Sequence, residues 1–272
     1  MALLTNRAAS PVADSGKGRG RRALAFLKEA KYEFLKLWRL PVYSLSTLVF
    51  PAMFYVIFGL TFAGQYTAGV SLTTYMLATY GAFGVIGCAL FGFGVAVAVE
   101  RGQGWMLLKR ASPMPPLVYF AAKLAMALLF SGLVITMLFS LGALVGGVRL
   151  PVLGWLQLFL TLLAGALPFS MMGLAFGYLL GPNSAPAVLN LVYLPMAFVS
   201  GLWIPIDVLP QAIRQFAPLL PPYHYSQLAL GTIGADRGGD PLLHLAVLAG
   251  YTLLFLAVAL VGYRRDEGRT FG

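Results

Sequence analysis

Few side chains in this sequence could do chemistry, and none stands where chemistry needs it. His224 and His244 could serve as acid–base groups or metal ligands. Neither has a partner at a readable spacing, and the chain offers no neighbouring carboxylate pair and no nucleophile with an adjacent base. Both histidines are therefore read as polar residues at a membrane interface. Cys88 is the single cysteine and falls inside an apolar run, which excludes an internal disulfide and a cysteine-based metal site; it is read as a small packing residue. Ser15-Gly16-Lys17-Gly18 has the flavour of a phosphate-binding loop. It lacks a glycine five residues before Gly16 and a Ser or Thr after Lys17, so it is read as part of a flexible tail. No catalytic, cofactor-binding or metal residue is expected, and no enzyme activity of the chain's own; any energy must come from another chain.

The stretch that organises the rest is residues 100–116, ERGQGWMLLKRASPMPP, strongly charged and set between long apolar runs. With 59% apolar residues, 10% charged residues and a mean hydropathy of +0.82, the chain has too little polar surface to cover a soluble globule of 272 residues. No Asp, Glu, Lys or Arg occurs in residues 40–99, 124–148 or 150–206. Runs of that length must cross a bilayer, since one crossing needs only about 20 apolar residues. The net charge of +10 does not indicate a nucleic acid, because the basic residues sit at the ends of apolar runs and form no patch interleaved with aromatics.

In chain order, residues 1–22 are rich in Ser, Gly, Ala and Arg, without periodic apolar positions, and read as a disordered basic cytoplasmic arm. Residues 23–41 change pattern. Leu27, Ala30, Phe34, Leu37 and Trp38 recur at helical spacing with Lys28, Glu29, Lys36 and Arg39 opposite, which predicts an amphipathic helix on the inner membrane surface, with Leu27, Phe34 and Trp38 in the interface. Residues 42–263 form the membrane domain, with spans over 42–63, 72–99, 117–147, 152–180, 186–203 and 242–263. The first begins after some 40 residues and is too long for a signal-peptide core, so no cleaved signal is expected. Lys123 is placed near an inner membrane boundary, where it can snorkel to the headgroups. Pro168 predicts a kink, and Gly173, Gly177 and Gly181 a packing face. Between the fifth and sixth spans, Gly201, Pro205, Pro210 and Pro221 break the chain into pieces too short to cross, predicting short re-entrant helices that cap the outer end, with Tyr223 and Tyr225 at headgroup level. Residues 264–272 are the cytoplasmic tail.

This arrangement puts both termini inside and leaves Arg149, Arg214 and Arg237 outside, so sixteen of the nineteen Lys and Arg are cytoplasmic, as the positive-inside rule requires. The fold class is thus an all-α integral membrane protein of the cytoplasmic (inner) membrane. The spans contain no ionisable residue suited to binding a coupling cation or relaying protons, which argues against an ion-driven carrier.

Two stretches resemble the type-2 ATP-binding-cassette (ABC) export permeases. One is Val99-Glu100-Arg101-Gly102-Gln103-Gly104-Trp105, followed by Leu107-Leu108, Ser112-Pro113 and Lys123-Leu124-Ala125. The other is Val199-Ser200-Gly201-Leu202-Trp203-Ile204-Pro205, followed by Leu209-Pro210 and Pro218-Leu219-Leu220-Pro221. With the amphipathic start and the span order, the likeness covers nearly the whole chain after Arg22; Trp105 stands where a threonine is usual. The resemblance implies the membrane half of an ATP-driven exporter: a homodimer whose first and fifth spans form the seam, working with a separate ABC ATPase subunit that binds ATP and Mg. In that family the ATPase docks on the loop after the second span, which corresponds here to Glu100, Arg101, Gly104, Trp105, Leu108, Lys109 and Arg110, and on the surface helix. Trp105, Met106, Leu107 and Leu108 would be its apolar anchors. The apolar and aromatic walls favour an amphiphilic cargo of the drug, lipid or glycan class. A non-transporting membrane anchor or assembly subunit is the rival reading.

Overall fold

The structure is a computed structural model that describes residues 15–39, 41–62, 64–111 and 115–268. The expected arm up to residue 14, the Ser112-Pro113 pair and the tail beyond residue 268 lie outside the described residues. Helix α1 spans Ser15–Trp38, so residues 15–22, expected as disordered, are helical. The helix buries Leu37 and lays Phe34 against Trp38 and Phe130, with ring centroids 5.8 Å and 6.0 Å apart. Leu27 and Trp38 stay exposed, 62% and 53%.

Helix α2 (Pro41–Phe54) runs into a π-helical turn, Tyr55–Leu60. The expected polar turn after it is a small β-hairpin, β1 (Tyr66–Thr67) pairing antiparallel with β2 (Val70–Ser71). Ala68 and Gly69 both take positive φ, +47° and +78°, the conformation a two-residue type I′ hairpin turn demands.

The core is built on helix α3 (Leu72–Ala89), whose residues are buried almost all round. It continues through a second π turn, Leu90–Val95, into α4 (Ala96–Gly102). Helix α5 (Trp105–Ala111) follows, then α6 (Pro116–Leu144), α7 (Val152–Ala164), α8 (Ala166–Leu179) and α9 (Ala185–Val199). Two 3-10 turns, Ile206–Val208 and Ala217–Leu219, alternate with α10 (Gln211–Phe216) and α11 (Pro221–Gly231), and α12 (Pro241–Gly268) closes the chain.

Among the described residues, four helical stretches are long and apolar enough to cross a membrane: Leu72–Gly102, Pro116–Leu144, Val152–Leu179 and Pro241–Asp266. The other two expected spans correspond to shorter apolar helices, Thr47–Leu60 and Ala185–Val199. Helix α9 stops at Val199, short of residue 203, because Gly201 adopts φ +77° and the Leu202 N–H turns back to the Ala197 carbonyl. At 15 residues it rises only about 22 Å.

Glycine permits the closest helix contacts. A Cβ on Gly94 would lie 2.7 Å from the Gly173 carbonyl oxygen, and one on Gly177 would lie 2.9 Å from the Gly94 oxygen, so α8 meets the second π turn backbone to backbone. Gly181, the third member of the expected packing face, instead lies in the turn before α9. The chain does bend near Pro168, between α7 and α8 at Gly165. Pro168 cannot donate to the Ala164 carbonyl, which loosens the helix one turn upstream. Tyr225 of α11 fills the bend: its ring lies 2.0 Å from where a Gly165 Cβ would stand, and its hydroxyl donates to the Leu162 carbonyl. Tyr225 is therefore a core residue at 1% exposure, and Tyr223 is buried as well, so both rings pack within the protein.

Candidate functional site

Helix α4 brings the charged stretch to one end of the bundle, and its last turn sends two consecutive side chains in different directions. Neighbouring residues of an α-helix project about 100° apart, so Glu100 turns toward α1 and α6 while Arg101 turns toward α8 and α12.

Glu100 is the hub of a buried charge network. Lys123 donates to Glu100 Oε1 at 2.9 Å and to Glu33 Oε2 at 3.1 Å. Lys36 also donates to Glu100 Oε1, and the Tyr119 hydroxyl donates to Oε2. The side chains of Lys123 and Glu100 are 1% and 2% exposed. Tyr119 and Lys123 share one face of α6 at i, i+4, and Glu33 and Lys36 share one face of α1 at i, i+3. Two carboxylates thus face two ammonium groups across three helices, the arrangement that makes burial of charge tolerable.

This placement corrects two expectations. Lys123 does not snorkel outward; it turns in, because Glu33 and Glu100 offer it partners where lipid offers none. Glu100, expected on an exposed docking loop, is buried at 1% exposure. Glu33 and Tyr119 were missed in the sequence, although a signal existed. A lone lysine inside an apolar span implies a partner, and Glu100 is the only acidic residue between Glu33 and Asp207.

Arg101 laces the other side. Its Nη1 donates to the carbonyls of Gly177 and Tyr178 at 2.7 and 3.0 Å, and its Nε and Nη2 donate to Asp266 Oδ1 at 3.2 and 3.0 Å. The guanidinium carbon lies 5.1 Å from the Tyr178 ring centroid. These carbonyls belong to the last turn of α8, whose acceptors have no partner in their own helix, so Arg101 caps α8 and ties it to α12.

Between α4 and α5 the chain turns at Gly104, φ +74°, a left-handed conformation that favours glycine. Helix α5 then presents Trp105 and Leu108, 48% and 72% exposed, while Met106 turns into the core beside Val97 and Tyr119 and so cannot be an outward anchor. The Lys36 ammonium sits 5.7 Å from the Trp105 ring centroid. The side chains of Leu107, Lys109 and Arg110 lie outside the described residues.

Beside the network, a cleft of about 600 Å³ opens between α2, α3 and α9. Phe50, Phe83, Phe91 and Tyr193 give it an aromatic wall, and Lys36 reaches it from α1. Tyr193 is fixed by a 2.6 Å hydrogen bond to the Phe83 carbonyl. At the opposite end of the bundle, Pro205, Pro210 and Pro221 each begin a short helical piece, and Ile206 packs against Gly201. His224 and His244 meet there, buried, Nδ1 to Nδ1 at 2.8 Å, and form a contact between α11 and α12. Among the described residues no three His, Cys, Asp or Glu side chains gather as a metal site.

Residues 26–233 match the family described as ABC-2 type transporter. The match contains Glu33, the whole residue 100–111 stretch, Lys123 and the proline-rich segment. The chain is also similar to a Bacillus subtilis (strain 168) protein named as transport permease YvfS, at 27% identity over 241 residues that cover 88% of this chain and 97% of that one.

Proposed function

The chain belongs to the ABC-2 type transporter family, and on that premise we propose that it is the permease subunit of an ATP-driven exporter, moving an amphiphile across the cytoplasmic membrane. Two copies form the pathway, each crossing six times with both termini inside, and a separate ABC ATPase subunit supplies ATP and Mg chemistry. Helix α9 is short for a crossing, and the 3-10 turns with α10 and α11 complete its depth as a re-entrant cap. An amphiphilic cargo is supported by the aromatic cleft between α2 and α9, the helices proposed for the dimer seam.

The observation that carries the reading is the exposure of Trp105 and Leu108 on α5 directly beside the buried Glu100 network. A docking helix must do two things: offer apolar anchors outward and transmit their displacement inward. Trp105 and Leu108 supply the first; Lys36, stacked near Trp105 and bonded to Glu100, supplies the second by joining α5 to α1 and α4. The test is reconstitution with the partner ATPase and measurement of complex formation and ATP-driven export. A buried aromatic anchor contributes about 2 kcal/mol or more at an interface, so Trp105→Ala is expected to weaken association about 30-fold and uncouple ATP hydrolysis from export, with membrane insertion unchanged. Normal assembly and export by that variant would show that α5 is not the coupling element.

A further inference from the structure

A second cleft, of about 500 Å³, lies between the charged ends of α8 and α12, on the side of Arg101 away from the Glu100 network. Its floor on α12 is Leu254, Ala257, Val258, Val261 and Gly262, ending at Arg265. Those positions follow i, i+3, i+4, i+7, i+8, i+11 and form one straight stripe of the helix. From Leu254 to Arg265 the stripe rises about 16 Å, close to the hydrocarbon depth of one leaflet, about 15 Å. Leu254 and Val261 are 54% and 50% exposed. Arg101, Arg265 and Asp266 cluster at the mouth, two cations against one anion, and Arg101 is held in place there by the α8 carbonyls and Asp266.

We infer that this cleft binds one phospholipid of the cytoplasmic leaflet with an anionic headgroup. Three features select that occupant over others. The apolar stripe has the length of an acyl chain in one leaflet and lies on an apolar helix that the rest of the chain leaves largely uncovered, only 11% of its apolar window being buried. The positive charge is at one end only, at headgroup depth, as basic pockets between spans provide for acidic lipids. The excess of one cation matches a singly charged phosphate diester. Because Arg101 stands on α4 immediately before the docking helix, the lipid occupies the side of that joint opposite to Lys123 and Lys36. The site lies outside the proposed cargo pathway between α2 and α9, so its test can succeed or fail independently of the export reading.

The experiment is native mass spectrometry of the full-length chain in detergent, titrated with phosphatidylglycerol, phosphatidylcholine or glycerol 3-phosphate. One phosphatidylglycerol is expected to be retained per chain in preference to phosphatidylcholine. A guanidinium near the membrane surface contributes enough for about a fivefold preference, so Arg265→Gln is expected to lower retention by about that factor. Arg264→Gln removes the same charge from the neighbouring exposed position, off the cleft, and is expected to leave retention unchanged. Ala257→Trp, which fills the stripe and keeps every charge, is expected to weaken binding as well. Equal retention of the two lipids, or an equal loss in Arg264→Gln, would reduce the site to general surface charge and overturn the inference. Displacement of the lipid by glycerol 3-phosphate would overturn it in favour of a free-anion site, and full retention by Ala257→Trp would remove the acyl groove.

Discussion

Lys123 Nζ lies 2.9 Å from Glu100 Oε1, with both side chains at or below 2% exposure, and this pair joins the middle of the α6 N-terminal half to the end of α4. Charges at that depth are stable only as a set. The ammonium of Lys123 is shared with Glu33, and Glu100 is shared with Lys36 and Tyr119. Displacing α1 therefore disturbs Glu100 through Lys36 and Lys123 through Glu33 at the same time.

Replacing one member leaves opposite charges uncompensated. Lys123→Met removes the ammonium shared by Glu33 and Glu100 and leaves Lys36 as the cation on Glu100, a loss of about 3–5 kcal/mol for a broken buried pair. The double variant Lys123→Met/Glu100→Met restores neutrality between those two positions and is expected to recover most of that loss. Thermal denaturation in detergent measures both; a double variant less stable than the single one would mean that the pair does not act as a compensated unit.

The bend between α7 and α8 gives a second, sign-reversing test. With Tyr225 present, a methyl group at residue 165 collides with its ring, and overpacking of this kind costs about 1–3 kcal/mol. With Tyr225→Ala the collision is gone. Gly165 has helical φ and ψ, −62° and −18°, so Ala there should then be neutral or stabilising by up to about 1 kcal/mol. Gly165→Ala is thus expected to destabilise the wild type and not the Tyr225→Ala protein, measured as a double-mutant cycle. The same sign in both backgrounds would exclude Tyr225 as the wedge.

Much of this fold was legible because lipid punishes charge: the long helices fall where the uncharged runs fall, and Pro168 marked the bend. What stayed hidden depends on rotation about a helix axis, which periodicity cannot resolve in a helix that is apolar all round. Lys123 looked like a snorkelling residue because nothing in its own helix could pair with it; the partners come from residues 33 and 100, distant in sequence. Tyr225 looked interfacial because a phenol suits headgroups, and only the fold places it against Gly165. The residue 100–111 stretch was legible as a unit, but not the division by which Glu100 and Met106 face inward while Trp105 and Leu108 face out.

The proposed orientation can be tested on the same scaffold because Cys88 is fully buried. In a Cys88→Ala background, single cysteines at Gln65, Arg149 and Arg237 are expected to react with an impermeant maleimide from outside, and one at Trp105 only after the membrane is opened. Reaction of residue 65 from the inside alone would invert the topology and with it the proposed placement of α5 as a docking helix.

The histidine pair yields the last prediction, through its hydrogen atoms. The Pro218 carbonyl can only accept, so the His224 Nε2 at 2.8 Å from it must carry a proton. A neutral His224 then has a bare Nδ1, and the Nδ1–H of His244 is the donor across the 2.8 Å contact. Asn reproduces a donor near the position of Nδ1, whereas Leu does not. His244→Leu should leave the buried His224 nitrogen without a partner, a loss of about 1–3 kcal/mol, and should loosen α11 from α12. His244→Asn is expected to lose less than half as much. Thermal stability together with protease access to the 232–240 loop distinguishes the two, and equal losses in both variants would mean that the ring's bulk, not its hydrogen bond, holds the cap to the last helix.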